Sequence, residues 1–173
     1  NHDPQKDGFT VHACQLRPES RGTISLASAD PFAHPAIDPN YLAAEEDRRA
    51  MREAVKMVRD VCGQSALNAL RGSEIMPGAS VVTDEDIDAF IRRTGETIYH
   101  PVGTVAMGTS DASPVDGQLR VRGVDGLRVV DASVMPTLVG GNTNAPTIMV
   151  AEKAADMMLG KPALAREETL TPA

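Results

Sequence analysis

One amphipathic stripe constrains this chain more than any other feature. Met51, Ala54, Val55, Val58, Val61 and Cys62 recur at i, i+3, i+4, i+7, i+10 and i+11, the spacing that gathers apolar side chains on one helical face. A helix is therefore expected over 42–62, with Gly63 as its C′ stop. The basic run Arg48-Arg49-Ala50-Met51-Arg52 lies between Glu45, Glu46, Asp47 and Glu53, so it reads as a solvated face and not as a nucleic-acid patch.

Upstream, Phe9-Thr10-Val11-His12-Ala13 and Thr23-Ile24-Ser25-Leu26-Ala27 both alternate. They predict a β-hairpin over 8–27, turning at Arg17-Pro18-Glu19-Ser20-Arg21-Gly22, where proline sets φ and glycine permits a positive one. His12 falls on the polar phase of its strand. Pro31, Pro35 and Pro39 make 28–41 an irregular crossing, and His34 there has no neighbour for metal or acid/base work. Residues 64–82 are weakly patterned, with a turn at Pro77-Gly78. A short helix follows: Thr83 caps it, Asp84, Glu85 and Asp86 favour its positive end, Ile87, Phe90 and Ile91 form its buried stripe, and Gly95 closes it. Short strands are expected at 119–121 and 127–131, joined by the turn Gly123-Val124-Asp125-Gly126. A last helix begins near Ala145-Pro146, buries Ile148, Ala151, Ala155, Met158 and Leu159, and ends at Gly160 and Pro162. The tail after Lys161-Pro162 is expected to fray.

Composition narrows the function classes. At 173 residues and 42% apolar content the chain can bury a core, but with 3% aromatics and no Trp that core is aliphatic. A formal net charge of −7 disfavours a phosphate-backbone partner, so no nucleic acid is expected. Cys14 and Cys62 have neither CxxC nor metal-site spacing; they read as reduced, buried thiols of a cytoplasmic protein, with a single disulfide as the alternative, and no metal is expected. No stretch approaches the length of a membrane helix. The opening Asn1–Asp7 is polar, without a signal peptide. It also lacks an initiator Met, so the chain is expected to be part of a longer protein.

Chemistry concentrates in two loops. His100 sits between Tyr99 and Pro101, with Gly103 close behind. This is a rigid loop, and imidazole titrates near neutrality, so it can take a proton from a substrate hydroxyl. Gly140-Gly141-Asn142-Thr143-Asn144-Ala145-Pro146-Thr147 sets two amides immediately before a helix N-terminus. If extended, it points Asn142 and Asn144 the same way, towards an end suited to anionic or electron-rich groups. Capping and turning is the competing role for both. Neither GxxxxGK[ST] nor GxGxxG occurs, so any nucleotide fingerprint lies outside this chain.

Taken together, His100-Pro101-Val102-Gly103-Thr104 with Met107-Gly108, then Val121…Gly123-Val124-Asp125-Gly126-Leu127-Arg128-Val129-Val130-Asp131-Ala132-Ser133-Val134-Met135-Pro136, then Gly141-Asn142-Thr143-Asn144-Ala145-Pro146-Thr147-Ile148-Met149 resemble the C-terminal part of the glucose–methanol–choline (GMC) flavoprotein oxidoreductases. Arg17–Ile24 and Pro35…Ile37-Asp38-Pro39-Asn40-Tyr41-Leu42 add to the likeness, which runs from about residue 9 to 160 and is nearest to choline-dehydrogenase-like members.

The resemblance implies an α+β fold. Residues 1–98 would be a substrate-binding domain with a mainly antiparallel sheet and flanking helices. Residues 99–160 would return to an FAD-binding domain, and 161–173 would be a tail. It implies that His100 takes the alcohol proton while hydride passes to flavin N5. Asn144, forty-four residues on, matches the second active-site position and would hold the substrate oxygen. Asp131 and Ala132 match backbone contacts to FAD. Asn142, Pro146 and Thr147 match the turn beside the flavin ring, with the helix end facing the flavin's N1–C2=O2 edge. The expected function is the catalytic C-terminal portion of an FAD-dependent alcohol dehydrogenase or oxidase. Its partners are a small alcohol and the N-terminal FAD-binding half, without which the chain alone is expected to be inactive. The alternative is a non-catalytic binding or assembly domain of the same fold. An upstream GxGxxG segment in the parent reading frame distinguishes the two. A quaternary ammonium substrate would need an aromatic or acidic cage, and this chain offers Tyr41, Tyr99 and three Phe.

Overall fold

A computed structural model describes residues 7–165. Most of the polar N-terminal opening and the end of the expected tail lie outside them. The chain divides after Tyr99 into two compact units, each described by itself.

In the first unit, β1 (Thr23–Ser25) pairs antiparallel with β2 (Ala36–Asp38), placing Ile24 opposite Ile37. This corrects the expected hairpin. Phe9–Ala13 forms no strand, and β1 finds its partner downstream, inside the proline-rich crossing. Two local causes are visible. A side chain at Gly22 would collide with the Asp38 carbonyl and the Pro39 backbone, so glycine is needed here for close approach and not for a positive φ. The Asn40 amide then donates to the Arg21 carbonyl at 2.9 Å. Pro35 and Pro39 bracket β2 and so remove no ladder bond from it. The sheet is thus a two-stranded ribbon, smaller than the mainly antiparallel sheet expected, although strands and helices do coexist in an α+β chain.

Helix α1 (Glu45–Gly63) carries the predicted stripe: Met51, Ala54, Val55, Val58 and Cys62 are half-buried, while Val61 is exposed. Gly63 is its last residue and does not adopt the left-handed C′ conformation. The buried residue of α1 is polar. Asp47, 2% exposed, accepts hydrogen bonds from the amides of Glu19 (2.9 Å) and Ser20 (2.8 Å), and Ser20 Oγ accepts one from the Ala44 amide at 3.0 Å. This reciprocal clamp pins the Arg17–Gly22 segment to the start of α1. Burial pushes the Asp47 carboxyl up, but the Ser20 hydroxyl and the two amides outweigh it and hold the group below its ordinary value.

Helix α2 (Asp84–Thr94) follows its sequence closely. Thr83 and Asp86 form a reciprocal capping box, and Ile87 and Ile91 are buried. It packs on α1, and Arg52 of α1 reaches Asp88 at 2.9 Å and Asp84 at 3.6 Å.

In the second unit, the expected strands at 119–121 and 127–131 shrink to isolated antiparallel bridges, Arg120 with Arg128 and Val121 with Val115. The amide of Val121 donates to the Leu127 carbonyl and that of Val129 to Leu119. Between the bridges and the last helix the chain makes one 3₁₀ turn, Ala132–Val134, capped by the Asp131 carboxylate, which accepts the Ser133 N–H at 2.7 Å. Helix α3 (Asn144–Met158) closes the unit. The core is aliphatic as composition required: Val115, Leu119, Val134, Val150 and Ala154, with Val105, Met107, Val121, Val129 and Val130 packed around them.

Which face of α3 is buried is a second correction. Val150 and Ala154 face the core, whereas Ile148, Ala151, Ala155, Met158 and Leu159 are all exposed. Both sides of this helix are apolar, so periodicity alone could not choose between them.

The thiols also differ from expectation. Cys14 is exposed, Cys62 is half-buried, and both are free. No helix among the described residues is long and apolar enough to cross a membrane.

Candidate functional site

The His100 loop is held at several points along its length. Gly103 has φ +90°, a conformation that favours glycine, and a Cβ there would stand 3.4 Å from the Met135 carbonyl oxygen. The Val105 amide donates to the Ser133 carbonyl (3.1 Å) and the Met107 amide to Val134 (2.9 Å). Val105 and Met107 then pack on the same core as Val134, Val150 and Ala154. The segment following His100, the 3₁₀ turn after Asp131 and helix α3 are therefore three parts of one packed body. All the residues singled out from sequence (His100, Asp131, Ala132, Asn142, Asn144, Pro146 and Thr147) belong to this unit.

His100 is half-buried, and Tyr99 before it is mostly exposed with a left-handed backbone, φ +62°. Asp131 spends one carboxylate oxygen on the Ser133 amide. Ala132, Pro146 and Thr147 are half-buried, and Asn142 and Asn144 are exposed.

The two asparagines do not share one face of an extended segment. Thr143, between the two asparagines, has helical backbone angles (φ −85°, ψ −11°), and Asn144 is already the first residue of α3. The segment is not extended, so no pleat aligns Asn142 with Asn144.

Two residues escaped the sequence reading. Thr143 is buried, and its carbonyl accepts both the amide (3.0 Å) and the hydroxyl (2.7 Å) of Thr147. Ser133 Oγ is buried with no hydrogen-bond partner among the described residues. A hydroxyl beside a valine in a DASV run carries no periodic signal that would have singled it out.

The first turn of α3 can accommodate an electron-rich group. No side chain caps it and it holds no acidic residue, so its free N–H groups and partial positive charge remain available to an external partner. Helices α1 and α2 instead carry their own carboxylates in that position. Free N–H donors of this kind are suited to an electron-rich group such as the edge of a flavin.

A surface cleft of about 230 Å³ lies elsewhere in this unit, along Arg120–Arg128. Its guanidinium groups are already engaged: Arg120 bonds Asp116 at 2.8 Å, and Arg128 Nε donates to the Gln118 carbonyl at 3.1 Å. The Arg120 amide, with its side chain and the Gln118 amide, holds the Asp116 carboxyl down at about 2. Among the described residues no His, Cys, Asp or Glu cluster is placed to bind a metal ion.

The GMC oxidoreductase family model matches residues 18–151. The chain is 49% identical over 162 residues to an oxygen-dependent choline dehydrogenase of Acinetobacter baumannii (strain AYE), covering 94% of this chain and 29% of that protein. Among solved structures, pyridoxine 4-oxidase from Mesorbium loti superposes with a TM-score of 0.80 at 33% identity, covering 86% of this chain and 29% of that one. Formate oxidase of Aspergillus oryzae RIB40, whose FAD modification has been studied structurally, superposes at 0.79 with 33% identity, covering 84% and 26%. The chain thus spans less than a third of the length of the relatives it matches. With the C-terminal family model matched over most of its length and a choline dehydrogenase at this identity, the chain belongs to the GMC oxidoreductase family, as a choline-dehydrogenase-like C-terminal portion.

Proposed function

We propose that this chain is the part of an FAD-dependent alcohol oxidoreductase that handles the substrate hydroxyl. The observation that carries the reading is the packing of the loop following His100 and the uncapped helix α3 on one core. That packing supports a fixed relation between an imidazole and a carboxamide placed far apart in sequence.

In this reading His100 accepts the hydroxyl proton of the alcohol. Asn144 donates its amide hydrogen to the alcohol oxygen and so orients the carbon from which hydride departs. The flavin, when bound, supplies the hydride acceptor. Asp131 and Ala132 would hold it through their backbone, and Asn142, Pro146 and Thr147 would line its ring edge at the start of α3. The positive end of that helix favours negative charge gathering on the ring. The first unit would be the substrate-binding domain. The relatives support choline or a similar alcohol as substrate, and the two free thiols are consistent with a cytoplasmic enzyme.

The test is to join this chain to the preceding portion of the A. baumannii relative and mix the purified flavoprotein anaerobically with choline and a panel of primary alcohols. Bleaching of the oxidised flavin absorbance by at least one alcohol is expected. A stable, flavin-loaded protein that none of them bleaches overturns the reading.

A further inference from the structure

Thr143 is the buried residue in a run of exposed ones. Asn142 before it and Asn144 and Ala145 after it are exposed, while Thr143 itself is 9% exposed. Its backbone angles are already helical, and with Thr147, Val150 and Ala154 it falls at i, i+4, i+7 and i+11. Thr143 is therefore the first residue of the stripe by which α3 meets its core, since Val150 and Ala154 belong to that core. Its side chain does not cap the helix. What the residue contributes is shape and a carbonyl. The carbonyl accepts two bonds from Thr147, the amide at 3.0 Å and the hydroxyl at 2.7 Å. It lies in the same peptide plane as the Asn144 N–H. Holding it at two points fixes the plane from which Asn144 leaves the helix, about 100° around the axis from Thr143.

We propose that Thr143 is a positioning residue for Asn144. Its buried side chain sets the rotation of the first turn of α3, its doubly held carbonyl sets the peptide plane, and the Asn144 carboxamide is thereby held outward at a constant angle. The core that buries Val150 and Ala154 also packs Met107 of the His100 loop, so the first turn of α3 is oriented against the segment that carries the base. The inference rests on the functional reading above for the role of Asn144. It gives Thr143, which touches neither alcohol nor flavin in this scheme, the task of keeping a carboxamide in a geometry where a displacement of about 1 Å costs up to ~10²-fold in rate.

The test is a double-mutant cycle in the joined flavoprotein, read by the rate of anaerobic flavin bleaching with alcohol. Thr143→Gly removes the buried side chain and is expected to slow bleaching ~10- to 10²-fold with flavin content retained. In an Asn144→Ala background the same substitution should change the rate by less than ~2-fold, because a residue that acts only through Asn144 has nothing left to position. Thr143→Val, which keeps the shape and burial without the hydroxyl, should recover most of the loss. If Thr143→Gly prevents folding, Thr143→Ala takes its place in both backgrounds. Equal slowing with and without Asn144 overturns the proposal, since a merely structural loss would be additive. So does bleaching of Thr143→Gly at the parent rate, or a Thr143→Val that recovers nothing. Asn144→Ala bleached at the parent rate would reject the role given to Asn144 and this inference with it, whereas a slowed Asn144→Ala with an additive Thr143→Gly rejects this inference alone.

Discussion

Helices α1 and α2 handle charge in the opposite way to α3. Ten of nineteen residues in α1 and six of eleven in α2 are charged, against three of fifteen in α3. Each of the first two begins with three carboxylates that offset the partial positive charge of its N-terminus, and α2 adds the Thr83 cap, whereas α1 has no side-chain cap. Arg52 links them through Glu45, Asp84 and Asp88. The start of α3 has neither a carboxylate nor a side-chain cap, and its outer face is apolar. A helix that supplies its own counter-charges serves architecture. One left open at its positive end is suited to receive something else. In the proposed reading, the proton and hydroxyl chemistry would fall to the second unit.

The strongest way to break this assignment is at the loop that shares a core with α3. In the joined protein, His100→Ala is expected to lower kcat by ~10² to 10⁴, the usual range for losing a general base, with flavin content unchanged. Turnover at the parent rate would remove His100 from the mechanism and the chemistry from this unit.

Next in size is a substitution in the first unit that should affect stability alone. Asp47→Ala leaves the Glu19 and Ser20 amides without their acceptor and is expected to cost ~1–3 kcal/mol in urea unfolding, with kcat per folded enzyme unaltered. The loss should depend on pH. The folded-state carboxyl is lowered, so its contribution is complete above the unfolded value of about 3.9 and disappears as pH falls through the folded one. The gap between parent and variant should therefore be widest near neutrality and close below about pH 4; a gap that widens in acid would contradict the clamp.

The smallest effect is expected at Arg52, whose partners are partly solvated. Arg52→Gln should lower the melting temperature slightly at low salt, and the difference should vanish at about 1 M salt, where the screening length is ~3 Å. A large, salt-independent drop would mean that the α1–α2 pair depends on this cation for packing and not for surface electrostatics.

Features specified within a few residues could be read before any coordinates. The Thr83 cap, the acidic first turn and the Ile87/Ile91 stripe of α2 stand where the residues implied, because each depends on neighbours three or four positions away. Features that needed a distant partner were misjudged. Phe9–Ala13 alternates like a strand yet pairs with nothing among the described residues, while Ala36–Asp38, hidden among prolines, is the strand β1 selects. The residues of the candidate site were visible by chemical type and by family likeness. That the His100 loop hangs from Ser133 and Val134, and that Thr143 turns the chain so that Asn142 and Asn144 do not alternate, was not visible.

By itself the sequence determined the residue types at the site, the aliphatic composition of the core, the helices at 45–63 and 84–94, and the membership of a flavoprotein family. Each of these is written in local spacing or in side-chain chemistry. Tertiary structure alone decided which side of α3 is buried, because a helix with two apolar faces offers two equivalent solutions to its own periodicity. Only the valines and leucine that surround Val150 and Ala154 select one of them and leave the other exposed.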